Sequence, residues 1–234
     1  MNRISPILFN TDMVQAILVG QKTETRRAVR YKYNNTVMYI KTDKYGTRLI
    51  EIQENIKGKT YGKNPDGSTW HKLRPYIEKE PPYRRGDILY VRETWTLEEL
   101  YDGEALIRFK AGGEQHISYD VEGKLYQKLL KFAEKNWIPS IHMPKEAARI
   151  WLEVKNVGPE HLQDMDGQDI LREGVNCHVH PEADYFDGNQ REIFSGLWDS
   201  TIRKPELKRY GWDANPWVWA IKFKRCEKPE GGIQ

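Results

Sequence analysis

The sequence predicts an α+β fold: a mixed, mostly antiparallel β-barrel with short bracing helices and two insertions. Three observations predict it. Apolar residues alternate with a period of two in several separated stretches, the helical stretches between them are short, and no strand–helix–strand unit repeats. One domain is expected over residues 1–226, with insertions at about 31–82 and 110–140 and a flexible tail at 227–234.

The first element is a helix over residues 12–20, with Met13, Val14, Ile17 and Leu18 at helical spacing, Asn10 or Thr11 as its cap and Gly20 as its terminator. Residues 31–82 mix Tyr, Lys, Asn, Gly and Thr without a sustained apolar period. Asn64-Pro65-Asp66-Gly67 is a turn signal within them, so an irregular or hairpin insertion is expected. Gly86-Asp87 then turns into the strand Ile88–Arg92, at whose end Glu93 and Trp95 lie.

Leu125, Leu129, Leu130 and Phe132 predict a helix near 122–136. Ile150, Leu152 and Val154 alternate with Trp151, Glu153 and Lys155, the pattern of a half-buried strand. Asp166 caps a helix that Gly174 ends, and Ile193, Phe194, Leu197 and Trp198 mark a second amphipathic helix. In the last strand, Trp217, Trp219, Ile221 and Phe223 share one face and Val218, Ala220, Lys222 and Lys224 the other.

Composition bounds the function. At 234 residues, with 38% hydrophobic residues, eight Trp and thirteen Tyr, the chain is long and apolar enough to build a core unaided. Thirty-seven basic against thirty-four acidic residues exclude a polycation that coats nucleic acid indiscriminately, so anion binding must be local. Lys22, Arg26, Arg27, Arg30 and Lys32 form one basic group and Arg203, Lys204, Lys208 and Arg209 another, each either a solvated face or a phosphate track.

Cys177 and Cys226 are too few for a disulfide framework, and Arg3 and Asp12 interrupt the apolar stretch that an export signal requires, so a cytoplasmic protein is expected. No apolar run approaches the roughly 20 residues that span a bilayer. Cys177, His178 and His180 lack the ligand spacing of a structural zinc site; neither metal nor cofactor is expected. His142 either lines a cleft or satisfies a backbone group.

The densest functional group is Lys22-Thr23-Glu24-Thr25-Arg26-Arg27, which combines hydroxyls, an ammonium and two guanidiniums suited to a phosphate or a base edge. A regular strand would turn Lys22 and Thr25 to opposite faces, so a shared pocket demands irregular backbone here. A nucleophilic Thr25 needs a neighbouring base, a role open to Lys22 only if its pKa is lowered. Surface charges at a helix end are the plainer reading of the same residues.

Gly20-Gln21-Lys22-Thr23-Glu24-Thr25-Arg26-Arg27 resembles the signature of the ASCH family, whose domains share a PUA-like β-barrel. Four further stretches, 6–19, 86–95, 138–154 and 211–219, resemble phage and prophage members, which implies a bacterial cell or a phage-infected host. Small bacterial members are amidohydrolases of N4-acetylcytidine. The resemblance implies Thr25 as nucleophile, Lys22 as base and Glu173 as the acid that protonates the leaving amine, with Glu93 the alternative carboxylate. Thr23, Arg26, Arg27, Glu93 and Trp95 are the implied ligand-binding residues. The implied partner is a nucleoside or RNA, with DNA as a further candidate and no membrane. Two rivals stand beside the hydrolase. One is a non-catalytic reader of RNA or modified bases, with Arg26 and Arg27 as clamps and Trp95 as a stacking surface; the other is a phage scaffold that contacts a protein partner through its insertions.

Overall fold

The computed structural model of the chain describes residues 3–34, 36–44, 46–53, 60–63, 69–71, 76–175 and 189–229. Cys177, His178, His180, the 64–67 turn and the last five residues of the expected tail lie outside them.

The periodic stretches become strands and the capped ones helices. In chain order they are β1 (Ile4–Leu8), α1 (Thr11–Leu18), β2 (Glu24–Ala28), β3 (Thr36–Asp43), β4 (Gly46–Gln53), β5 (Thr60–Lys63), β6 (Thr69–His71), β7 (Tyr76–Lys79), β8 (Ile88–Arg92), β9 (Trp95–Tyr101), β10 (Glu104–Phe109), β11 (Glu114–Ser118), α2 (Lys124–Leu130), β12 (Trp151–His161), α3 (Gly167–Arg172), α4 (Asn189–Thr201), α5 (Leu207–Tyr210) and β13 (Trp217–Cys226). The fold is α+β with mostly antiparallel strands: among the described residues, only β1 with β8 pairs in parallel.

A five-stranded sheet in the order β1-β8-β12-β13-β2 carries the site. β9, β10 and β11 form a second sheet, β3, β4 and β7 a third, and β5 with β6 a ribbon. Among the described residues these sheets do not join into one closed barrel.

Within residues 31–82 the described strands pair as antiparallel hairpins, a three-stranded sheet and a ribbon. The 110–140 segment contributes to a core of its own with the second sheet. Its Ile117, Leu129 and Ile138 share a core with Trp95, Leu97, Ile107 and Phe109 of β9 and β10.

Two strands are buried more completely than their alternation implies. Ile150, Leu152 and Val154 of the β12 stretch pack into the main core while Trp151 packs into the second core with Tyr90, so both faces are covered there. In β13, Val218 and Ala220 are buried as fully as Trp219, Ile221 and Phe223. One face of β13 joins the main core with Ile7, Val14, Ile17 and Val91, while Val218 joins a cluster with Ile170, Phe194 and Trp198 from α3 and α4.

Candidate functional site

The site forms where α1 ends and β2 begins. Asn10 caps α1 by accepting from the Met13 amide at 2.9 Å, and Gly20 leaves it with φ +79°, a left-handed conformation that favours glycine. Residues 21–23 then run without regular structure, as a shared pocket would require, although Lys22 itself does not line the cleft that Thr25 lines. Backbone contacts fix this bend: the amides of Gln21 and Lys22 donate to the Ala16 carbonyl at 2.9 and 3.0 Å, and that of Thr23 donates to Arg172 at 2.9 Å. β2 follows as an edge strand paired to β13, with Thr25 opposite Ile221.

Glu173 arrives from the other end of the chain. Asp166 and Asp169 cap α3 reciprocally, Glu173 ends the helix, and Gly174 follows at φ +82°. A Cβ at Gly174 would lie 2.7 Å from Ala16 Cβ and 2.9 Å from Lys22 Cβ, so only glycine lets this helix end approach Lys22 so closely.

That approach buries an ion pair. Lys22 Nζ donates to Glu173 Oε2 at 2.7 Å, to the Glu173 carbonyl at 2.7 Å and to the Glu24 carbonyl at 2.9 Å, so all three N–H groups of the ammonium are used. Lys22 is 2% exposed and Glu173 5%. Surface charge at a helix end therefore does not describe Lys22. Burial pushes its pKa below the ordinary 10.5, with Arg27 and Arg26 adding to the effect and Glu173 opposing it.

Arg26 points into a carboxylate cage. Its guanidinium lies 2.9 Å from Glu160, 3.2 Å from Glu24 and 3.5 Å from both Asp169 and Glu173. Burial works against its charge, but Glu173, Glu160 and Asp169 together raise its pKa above the ordinary value. Glu173 Oε1, despite its burial, makes no hydrogen bond among the described residues and has the Arg26 guanidinium at 3.5 Å as its ionic neighbour.

Thr25 and Arg27 take the other face of β2. Arg27 Nη1 donates to Thr25 Oγ1 at 3.2 Å and its Nη2 to the Leu8 carbonyl at 3.0 Å. The Phe9 ring supports both neighbouring cations, with Lys22 Nζ and the Arg27 guanidinium carbon each 5.4 Å from its centroid.

These groups line a cleft of about 500 Å³, whose walls include Thr25, Arg26, Arg27 and Glu173, the apolar residues Ile7 and Leu8, and Phe194, Leu197 and Trp198 of α4. Its volume is in the range of small-molecule sites. Lys22 sits behind this wall, in contact with Glu173.

The structure thus brings Lys22, Thr25, Arg26, Arg27 and Glu173 together, and it leaves three expected residues elsewhere. Thr23 contributes backbone alone, accepting from the Phe223 amide at 2.9 Å, and does not line the cleft. Glu93, 1% exposed, is held by two bonds of 2.9 Å from Arg149, whose guanidinium lies 4.0 Å from the Phe109 ring centroid. Trp95 is fully buried in the second core, edge-on to Phe132. A strand end that leads into a second sheet accounts for both placements. His142 packs on Phe132 at 5.7 Å.

Tyr83 is a cleft residue that sequence reasoning missed. Its hydroxyl donates to the Pro6 carbonyl at 2.8 Å, and burial raises its pKa. Nothing in Pro81-Pro82-Tyr83 indicates which element it will face. The charge clusters also resolve into pairs: Arg30 bonds Glu206 at 2.8 Å, and Arg209 bonds Asn34 and stacks on Tyr31.

Among the described residues no group of three or more His, Cys, Asp or Glu is arranged to hold a metal, and no helix is long and apolar enough to cross a membrane. In comparisons with known proteins, no family model, curated protein or solved structure matches the chain.

Proposed function

We propose that this chain is an ASCH-type hydrolase that cleaves the acyl amide of an N4-acylated cytidine, and that its five-stranded sheet is the core of a PUA-like fold. One observation carries the reading: a buried Lys22–Glu173 contact lies behind a cleft whose wall holds the Thr25 hydroxyl and the Glu173 carboxylate, whose Oε1 has only Arg26 at 3.5 Å beside it among the described residues.

The chemistry begins with a proton. Lys22 as an ammonium has no lone pair, so it acts as base only after passing a proton to Glu173 across 2.7 Å. Burial eases the loss of that proton by lowering the Lys22 pKa. The free amine then takes the Thr25 proton as Oγ adds to the acyl carbon. Protonated Glu173 gives its proton to the cytosine nitrogen as the C–N bond breaks. Water hydrolyses the resulting ester, returning Thr25 and releasing the carboxylic acid.

A second reading, a non-catalytic reader of RNA or of a modified base, is favoured by one specific fact. All three Lys22 N–H groups are satisfied within the protein, which is also what a purely structural lysine would show.

The test measures cytidine release from N4-acetylcytidine by the wild type and by folded Lys22→Ala and Thr25→Ala variants. The hydrolase reading expects turnover in the wild type and loss in both variants. Saturable binding of the nucleoside or of RNA without turnover by the wild type supports the reader instead.

A further inference from the structure

The cleft contains three arginines, and their surroundings differ. Arg26 has four carboxylates within 4 Å, and Arg30 has Glu206 at 2.8 Å. Arg27 has none among the described residues: its hydrogen bonds there all go to neutral oxygens, at Thr25 Oγ1 (3.2 Å), the Arg26 carbonyl (3.4 Å) and the Leu8 carbonyl (3.0 Å). Those bonds use both Nη1 protons and one on Nη2, which leaves Nε–H and the other Nη2–H without an acceptor among the described residues.

An unpaired guanidinium in a partly buried wall is held at a cost. Burial lowers the Arg27 pKa, with Glu173 and Tyr83 acting in the opposite direction. Glu173 offsets part of that cost from a distance, but among the described residues no carboxylate pairs with Arg27 directly, so an anion in the cleft would gain more at Arg27 than at either neighbouring arginine.

We propose that Arg27 is a catalytic residue that binds the oxyanion formed when Thr25 attacks the acyl carbon. This inference rests on the hydrolase reading above. As Oγ adds, the carbonyl π electrons move to the carbonyl oxygen, which becomes an alkoxide on the same carbon as Oγ. A donor already 3.2 Å from Oγ1 is therefore next to the place where that charge develops. When the carbon–oxygen double bond re-forms, the C–N bond breaks and Glu173 protonates the amine, so the interaction is strongest at the transition state. The same guanidinium serves the second half-reaction, where water adds to the Thr25 ester and the charge returns to the same oxygen.

Arg27→Ala removes the donor, and Arg27→Lys retains the charge but loses the fork. Steady-state hydrolysis of N4-acetylcytidine by the wild type, both variants and Thr25→Ala, each confirmed folded by circular dichroism, separates the roles. The expected result is a fall in kcat of about 10²- to 10³-fold in Arg27→Ala with KM little changed, the size seen on losing one oxyanion donor. Added guanidinium ion should restore part of that kcat in Arg27→Ala and none in Thr25→Ala. A kcat within about fivefold of wild type, or a loss carried by KM alone as for a ground-state anion site, overturns the assignment while leaving the hydrolase reading intact. Absence of turnover in the wild type overturns both.

Discussion

Replacing Lys22 by Ala should be among the most destabilising single changes in the protein. The substitution strands Glu173 Oε2 and two carbonyl oxygens that lie 2.7 to 2.9 Å from Nζ, and Arg26 at 3.5 Å is the nearest remaining cation to that carboxylate. Removing one member of a buried ion pair costs about 3–5 kcal/mol, because the partner's desolvation is no longer offset. For a chain of this length about 1 kcal/mol moves the melting temperature by roughly 2–4 °C, so a fall of roughly 6–20 °C is expected. Glu173→Gln should cost less, about 1–3 kcal/mol, since an amide oxygen still accepts from the ammonium. Denaturant unfolding of the two single variants and the double variant closes a thermodynamic cycle on the contact. A Lys22→Ala cost below about 1 kcal/mol, or additive single effects, would refute the claim that this pair is buried and coupled.

Three further outcomes follow from the same geometry. Because the folded pKa of Lys22 lies below its unfolded value of 10.5, the unfolded chain binds more protons between the two values, and stability should rise with pH across that window. Titrating wild type and Lys22→Met by denaturation should show this rise in the wild type alone, and parallel curves would contradict it. Gly174→Ala should destabilise by about 1–2 kcal/mol from the left-handed backbone and about 1–3 kcal/mol from overpacking against Ala16 and Lys22. Gly174→Asn tests the second part, since Asn tolerates the backbone but not the contact; full recovery with Asn would remove it. Glu93→Ala should cost about 3–5 kcal/mol by stranding Arg149, yet leave nucleoside affinity of the folded protein unchanged, as titration calorimetry can verify.

Local rules were readable where a local cause acts. The cap at Asn10, the glycine stops at Gly20 and Gly174, the Asp166 cap and the strand at Ile88–Arg92 all follow from residues within one turn or one strand of each other. The catalytic reading demanded an irregular path at residues 21–23, and that path is present. Sheet order was not readable. Nor was face coverage: whether Val218 and Trp151 face solvent depends on the clusters packed over them from α3, α4 and the second sheet, and their alternation is the same with that face bare. Glu93 and Trp95 illustrate the same limit within the site: their position after a strand reads as a cleft rim, and only the neighbouring sheet makes it a core. Tyr83 and α4 complete the cleft through contacts that no spacing in the chain encodes.

The strand order also has a consequence for synthesis. β2 carries Thr25 and Arg27 near the beginning of the chain, yet its partner in the five-stranded sheet is β13, at residues 217–226. A ribosome-bound chain that has not yet released β13 has no neighbour for β2, and until α3 emerges Lys22 has no Glu173. The cleft therefore assembles only after nearly all of these residues are available, and the burial of its charges becomes one of the last events in folding. Until then the ammonium of Lys22 and both guanidiniums remain in water, so the nascent chain has neither the pocket nor the reactivity proposed for the finished protein.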